Sequence, residues 1–118
     1  MKTINIKGKE YVPVVERVKE FHIQYPKGEI RADIITNDEK RVVVKAYVIT
    51  GDGRQFTGLS QAEWGKGMMG NVALEVCETS AIGRALGFLG IGIETGIASA
   101  DEIRKVGKKV AVDDEDPF

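Results

Sequence analysis

The chain has 118 residues, of which 42% are hydrophobic and 30% charged; this is the composition of one small globular domain rather than of a disordered or fibrous chain. No apolar run approaches the ~20 residues a membrane span requires, and the polar start Met1-Lys2-Thr3-Ile4-Asn5 does not read as a signal peptide. A cytoplasmic protein with no membrane partner is expected. One cysteine, Cys77, and one histidine, His22, leave no intramolecular disulfide and no structural zinc site. The net charge of −1 is uneven: residues 113–118 carry four acids and no base, so residues 1–112 hold 14 acids against 17 Lys and Arg. A mildly basic body with an acidic tail suits a polyanion partner.

In chain order, residues 3–6 and 10–12 read as a short strand pair around the turn Lys7-Gly8-Lys9. Pro13 suits the first turn of a helix. Val14, Val15, Val18, Phe21 and His22 then share one helical face, with Arg17, Lys19 and Glu20 largely outside it. Pro26 and Gly28 end that helix. Residues 29–36 alternate Ile30, Ala32 and Ile34 with Glu29, Arg31 and Asp33, the pattern of a half-buried strand. After the turn 37–40, residues 41–50 place Val42, Val44, Ala46 and Val48 on one face, and Arg41, Val43, Lys45, Tyr47 and Ile49 on the other. Gly51-Asp52-Gly53 is a hairpin turn, and residues 54–59 form the returning strand.

Residues 60–70 fit neither period and, with three glycines in the last six positions, read as a mobile loop. Asn71 is the expected cap of a long helix running from Val72 to about Leu89. Ala81 and Ala85, and likewise Gly83 and Gly87, are four apart on a helical face. Glycine costs about 1 kcal/mol against alanine inside a helix, so the two glycines predict close backbone packing against a sheet or a neighbouring subunit. Gly90 and Gly92 punctuate the end. Ser99 and Glu102 form a capping-box pattern for a last helix, with Ile103 and Val106 inward and Arg104, Lys105, Lys108 and Lys109 near its end. The expected fold class is therefore α+β: a three-stranded antiparallel meander, plus a short N-terminal strand pair, packed by a long helix in a β-β-β-α core. The alternative is an OB-like barrel. The expected division is a binding domain over residues 1–112 and a disordered acidic tail over 113–118.

Catalytic signatures are missing. There is no phosphate loop, nucleophile elbow or zinc helix, and Gly87–Gly92 follow a helix rather than a strand. His22 and Cys77 read as structural residues; Asp38 and Asp52 read as turn residues. Neither enzymatic activity nor a cofactor or metal is expected. Three features carry function instead. On the open face of the meander, Arg41, Lys45 and Tyr47 stand beside Arg31; cations with an aromatic suit single-stranded nucleic acid, where they track phosphates and the ring stacks on a base. A solvated outer face is the plainer reading. In the loop, Trp64 and Lys66, with Arg54 upstream, form a mobile clamp on a base, or else Trp64 folds back as a lid on the core. The third feature is the helix string itself.

That string, Glu78-Thr79-Ser80-Ala81-Ile82-Gly83-Arg84-Ala85-Leu86-Gly87-Phe88-Leu89-Gly90-Ile91, follows the meander. It resembles the helix signature of phage single-strand annealing proteins of the Erf type, a superfamily that shares a β-β-β-α core with the eukaryotic annealing mediator of the Rad group. The resemblance spans roughly residues 7–102. It implies that Arg84 lies at a DNA groove or subunit contact; an ion pair with Glu78 or Glu75 is the alternative. The tail Asp113-Asp114-Glu115-Asp116-Pro117-Phe118 resembles the acidic tip of bacterial single-stranded DNA-binding proteins, with Asp116 standing where those carry an apolar residue. This implies recruitment of replication and recombination proteins through Phe118. Taken together, the sequence predicts a non-catalytic single-stranded DNA-binding protein of phage replication or recombination that is compatible with homo-oligomers. A strand-annealing protein and a protein–protein adaptor that never meets DNA are the alternatives.

Overall fold

The computed structural model describes residues 1–67, 70–94 and 96–109, with backbone alone over 105–109. Its elements are β1 (Ile4–Ile6), β2 (Lys9–Tyr11), α1 (Val14–Gln24), β3 (Glu29–Asn37), β4 (Arg41–Ile49), β5 (Gln55–Glu63), α2 (Ala73–Leu89) and α3 (Ala100–Lys109). The fold is α+β. β1 and β2 form a separate antiparallel pair, and β3-β4-β5 form an open antiparallel sheet. No barrel closes among the described residues. The expected tail over residues 113–118, its contacts, and the side chains of Lys105, Val106, Lys108 and Lys109 lie outside the described part.

Register follows from alternation. Val42, Val44, Ala46 and Val48 are all buried, and they are packed with Phe21, Cys77, Ala81, Ala85 and Leu86 into one core under α2. Their odd-numbered neighbours, Val43, Lys45, Tyr47 and Ile49, are only half-buried on the opposite face. β5 runs on to Glu63, past the expected end at Leu59, because Ser60, Gln61 and Ala62 continue to pair with Val44, Val43 and Val42. The expected loop is correspondingly short.

The small residues of α2 serve two neighbours. A Cβ on Gly58 of β5 would run into the backbone of α2, against Ala81 O and 2.6 Å from Ala85 N, so glycine alone lets the helix lie on that strand. On the other side of the helix, a Cβ on Gly83 would sit 2.6 Å from Val14 Cγ2, and one on Gly87 would sit 3.0 Å from Arg17 Nη1. The close packing expected of these glycines is thus against α1 of the same chain. Arg17, expected outside the apolar stripe, is fully buried. Its Nη1 donates to Gly83 O at 2.7 Å and its Nη2 to Gly92 O at 3.1 Å. Burial pushes its pKa down, against the opposing pull of Glu102, Asp101 and Glu94. Val15 and His22, expected on the stripe, are exposed.

The helix ends depart from expectation in one place. Asn71 does not cap α2; a single 3-10 turn over Gly70–Val72 leads into it, and Val72 occupies the cap position with no side-chain bond. At the other end Gly90 adopts φ 106°, and Ile91 N–H returns to Leu86 O at 3.0 Å. Ser99 Oγ accepts from Glu102 N–H at 3.3 Å, one half of the expected capping box. α1 receives its cap from a distance: Val14 N–H donates to Asp101 Oδ1 at 2.7 Å, so the start of α3 closes the start of α1.

Candidate functional site

Among the described residues α2 covers one face of the sheet and no element packs on the other. Cross-strand rows on it are fixed by register: Glu29, Ile49 and Gln55; Arg31, Tyr47 and Thr57; Asp33, Lys45 and Leu59. The middle row is the centre of the site. Arg31 Cζ lies 5.4 Å and Lys45 Nζ 5.2 Å from the centroid of the Tyr47 ring. Two cations thus rest on one phenol ring, held by the ring quadrupole. Leu59, 57% exposed on the strand next to Lys45, adds an apolar ledge. Its place on this face could have been read from the alternation Gln55, Thr57, Leu59 and Gln61, had the strand been carried beyond Leu59. Glu29 and Asp33 make the face a mosaic of both signs.

The remaining predicted residues are dispersed. Arg41 shares the face but stands at the far end of β4, opposite Glu63. Arg54 Cζ lies 5.0 Å from the Phe56 ring, which is packed against the core under the helix, so Arg54 leans away from Tyr47. Trp64 is separated from Arg54 by the length of β5, ~30 Å of strand; the two do not form one clamp. The Trp64 ring packs against the core, its backbone N–H donates to Lys40 O at 2.9 Å, and its Nε1 donates to Asn37 Oδ1 at 3.2 Å. The lid reading of Trp64 is the one this geometry matches. Lys66 Nζ is 3.0 Å from Glu63 Oε2. Arg84 pairs across to α3 rather than along its own helix to Glu78 or Glu75: its Nη1 is 3.8 Å from Glu102 Oε2, and its Cζ is 5.5 Å from the Phe88 ring. Arg84 therefore sits between α2 and α3, off the open face.

The turns that flank the open face are held by carboxylates. Asp38 Oδ1 accepts from Lys40 N–H at 2.8 Å and Arg41 N–H at 3.0 Å; these bonds lower its pKa, the Arg41 bond first. Asp52 accepts from the Thr50 hydroxyl and from Arg54 N–H, which lower its pKa in that order. Both carboxylates are committed to shaping the backbone. On the helix side, an open groove of about 220 Å³ runs between β3 and α2, floored by Ala32, Ile34, Val44 and Leu74 and edged by Asp33, Glu75 and Glu78.

Residues 18–89 match the model of a family described as Slr1353 N-terminal dsRNA-binding domain-like. The chain belongs to this family. The matched span begins within α1 and ends with α2, so the α-β-β-β-α unit is the family's part of the molecule, and β1, β2 and α3 lie outside it. No curated protein matches the chain. The family description does not name the annealing proteins that the α2 string resembles, and the glycines and alanines of that string are accounted for by contacts with Gly58, Val14 and Arg17. No helix among the described residues is long and apolar enough to cross a membrane.

Proposed function

We propose that this chain is a non-catalytic nucleic-acid-binding domain and that its open sheet face takes a single strand. The observation that carries this reading is the Tyr47 ring with Arg31 and Lys45 upon it. A base stacking on Tyr47 displaces one cation from the ring, and that cation is then placed to meet the flanking phosphate. Leu59 offers a second apolar surface for the neighbouring base. The family match supports nucleic acid as the ligand class. The resemblance of the α2 string to annealing proteins supports DNA and a replication or recombination setting.

The family description also favours a second reading, duplex RNA. Duplex RNA is recognised by shape over ~16 bp through phosphate and 2′-OH contacts, without base stacking. The experiment that separates the two is fluorescence anisotropy with labelled oligothymidine, oligouridine and an RNA duplex, at several salt concentrations. On the single-strand reading, oligothymidine binds more tightly than the duplex and affinity falls with salt. Tyr47→Ala then weakens binding by ~1–3 kcal/mol, and Lys45→Ala makes the salt dependence shallower. A duplex preferred over both single strands, with Tyr47→Ala neutral, moves the ligand to RNA helices and the site off this face. Absence of binding at low salt overturns both.

A further inference from the structure

Among the described residues β3 is an edge strand with no neighbour on its outer side, and none of its nine residues is buried. α2 lies over β4 and β5 and barely reaches it. Ile34 and Ile35 are 56% and 55% exposed there. Such an edge invites pairing, and proteins ordinarily blunt it with charged side chains, lysine above all, with proline or with bulges. The run Glu29-Ile30-Arg31-Ala32-Asp33-Ile34 contains neither lysine nor proline, and its two central charges are opposite in sign.

We propose that this edge pairs with the same edge of a second copy of the chain, antiparallel and centred on Ala32. A two-fold axis at Ala32 sets Arg31 of each copy opposite Asp33 of the other, and Ile30 opposite Ile34. The Arg31–Asp33 pair then occurs twice on the open face, and the four isoleucines cover one another on the helix side, where Ile34 otherwise stands over the groove beside Leu74. A parallel pairing would put like beside like and is disfavoured. The bulge between Ile34 and Thr36 breaks the ladder and limits the contact to residues 30–34. β5, the other edge, offers no such match: its open-face residues are Gln55, Thr57, Leu59, Gln61 and Glu63. The product is one six-stranded sheet whose open face carries two Tyr47 platforms, though the pairing itself requires no nucleic acid.

The test is sedimentation velocity on the full chain without nucleic acid. The contact is smaller than the ~1,200 Å² of a standard interface, so dimers are sought between about 10 μM and 1 mM. Arg31→Asp and Asp33→Arg each place like charges opposite one another and are expected to weaken the dimer about tenfold or more. Mixing the two variants restores complementarity, because the paired arginines of one variant then face the paired aspartates of the other. Recovery of wild-type dimer in the mixture alone supports the pairing. A protein that stays monomeric throughout the range overturns it. So does a dimer that survives either reversal unchanged, or a mixture that fails to associate.

Discussion

The two faces of the β3-β4-β5 sheet are built to opposite rules. On the helix-covered side the packing is close: Gly58 admits the backbone of α2, Gly83 and Gly87 on the far side of α2 admit the side chains of Val14 and Arg17, and the Arg17 guanidinium rests on carbonyl oxygens. On the open face nothing is enclosed, and the cations lie on an aromatic ring that solvent can reach. The same residue type does different work on the two sides. Arg17 ties α1 to the end of α2, whereas Arg31 is free to leave Tyr47 for a phosphate. Stability therefore belongs to the covered face, and on the proposed function ligand binding belongs to the open one, which makes the two separable by mutation.

The largest effect is expected at Gly58. Gly58→Val drives its side chain into the α2 backbone, which has no flexible end to yield. The variant should lose about 3 kcal/mol or more of stability, read as a collapse of the thermal transition in circular dichroism. Next is Arg17→Ala, which strands the carbonyls of Gly83 and Gly92 and leaves Glu102 and Asp101 without their buried counter-charge. Its cost should be about 3 kcal/mol, against no more than ~0.5 kcal/mol for Arg31→Ala on the open face. Equal losses at the two arginines would erase the distinction between the faces.

Most of the covered face was legible in the sequence because burial writes itself as a period. Val42, Val44, Ala46 and Val48 alternate, and the small residues of α2 recur every four positions. Arg17 escaped because its charge was read as solvent-facing although it stands three after Val14 and four before Phe21, on the buried face; its partners, Gly83 and Gly92, are far away in sequence. The missing cap at Asn71 has a similar cause, since the 3-10 turn at Gly70 takes up the entry to α2. On the open face, Arg31, Lys45 and Tyr47 fell together because two neighbouring strands in a meander share a register. Trp64 did not join them: a strand that continues to Glu63 carries the indole to the opposite end of the sheet, where Asn37 and the core hold it.

Trp64 tests the boundary between the two faces. Trp64→Phe removes the indole N–H bond to Asn37 and part of a lid, and should cost about 1 kcal/mol of stability while leaving nucleic-acid affinity unchanged. Titration of the wild-type protein with oligothymidine should then quench its tryptophan emission little, as the ring stands apart from Tyr47. Strong quenching, or a loss of affinity in Trp64→Phe that exceeds the loss in Tyr47→Ala, would extend the binding face across the whole length of β5.

The smallest effect concerns the turns that hold the open face in shape, and its sign can be worked out. Asp38 and Asp52 have pKa values below the ordinary carboxylate value of 3.8, because backbone N–H groups and the Thr50 hydroxyl stabilise their ionised forms in the folded chain. A carboxylate depressed on folding binds fewer protons in the native than in the unfolded state, so its contribution to stability is complete above 3.8 and is lost as pH falls from there through the lower folded value. Both groups are solvent-exposed, so the contribution is modest. Asp52→Asn retains an oxygen for Thr50 and Arg54 but no charge, and it should flatten the acid limb of the stability curve without moving the melting temperature at neutral pH appreciably. Denaturant melts at intervals between neutrality and about pH 3 check this. An acid limb identical in wild type, Asp38→Asn and Asp52→Asn would show that these two turn carboxylates do not shape it.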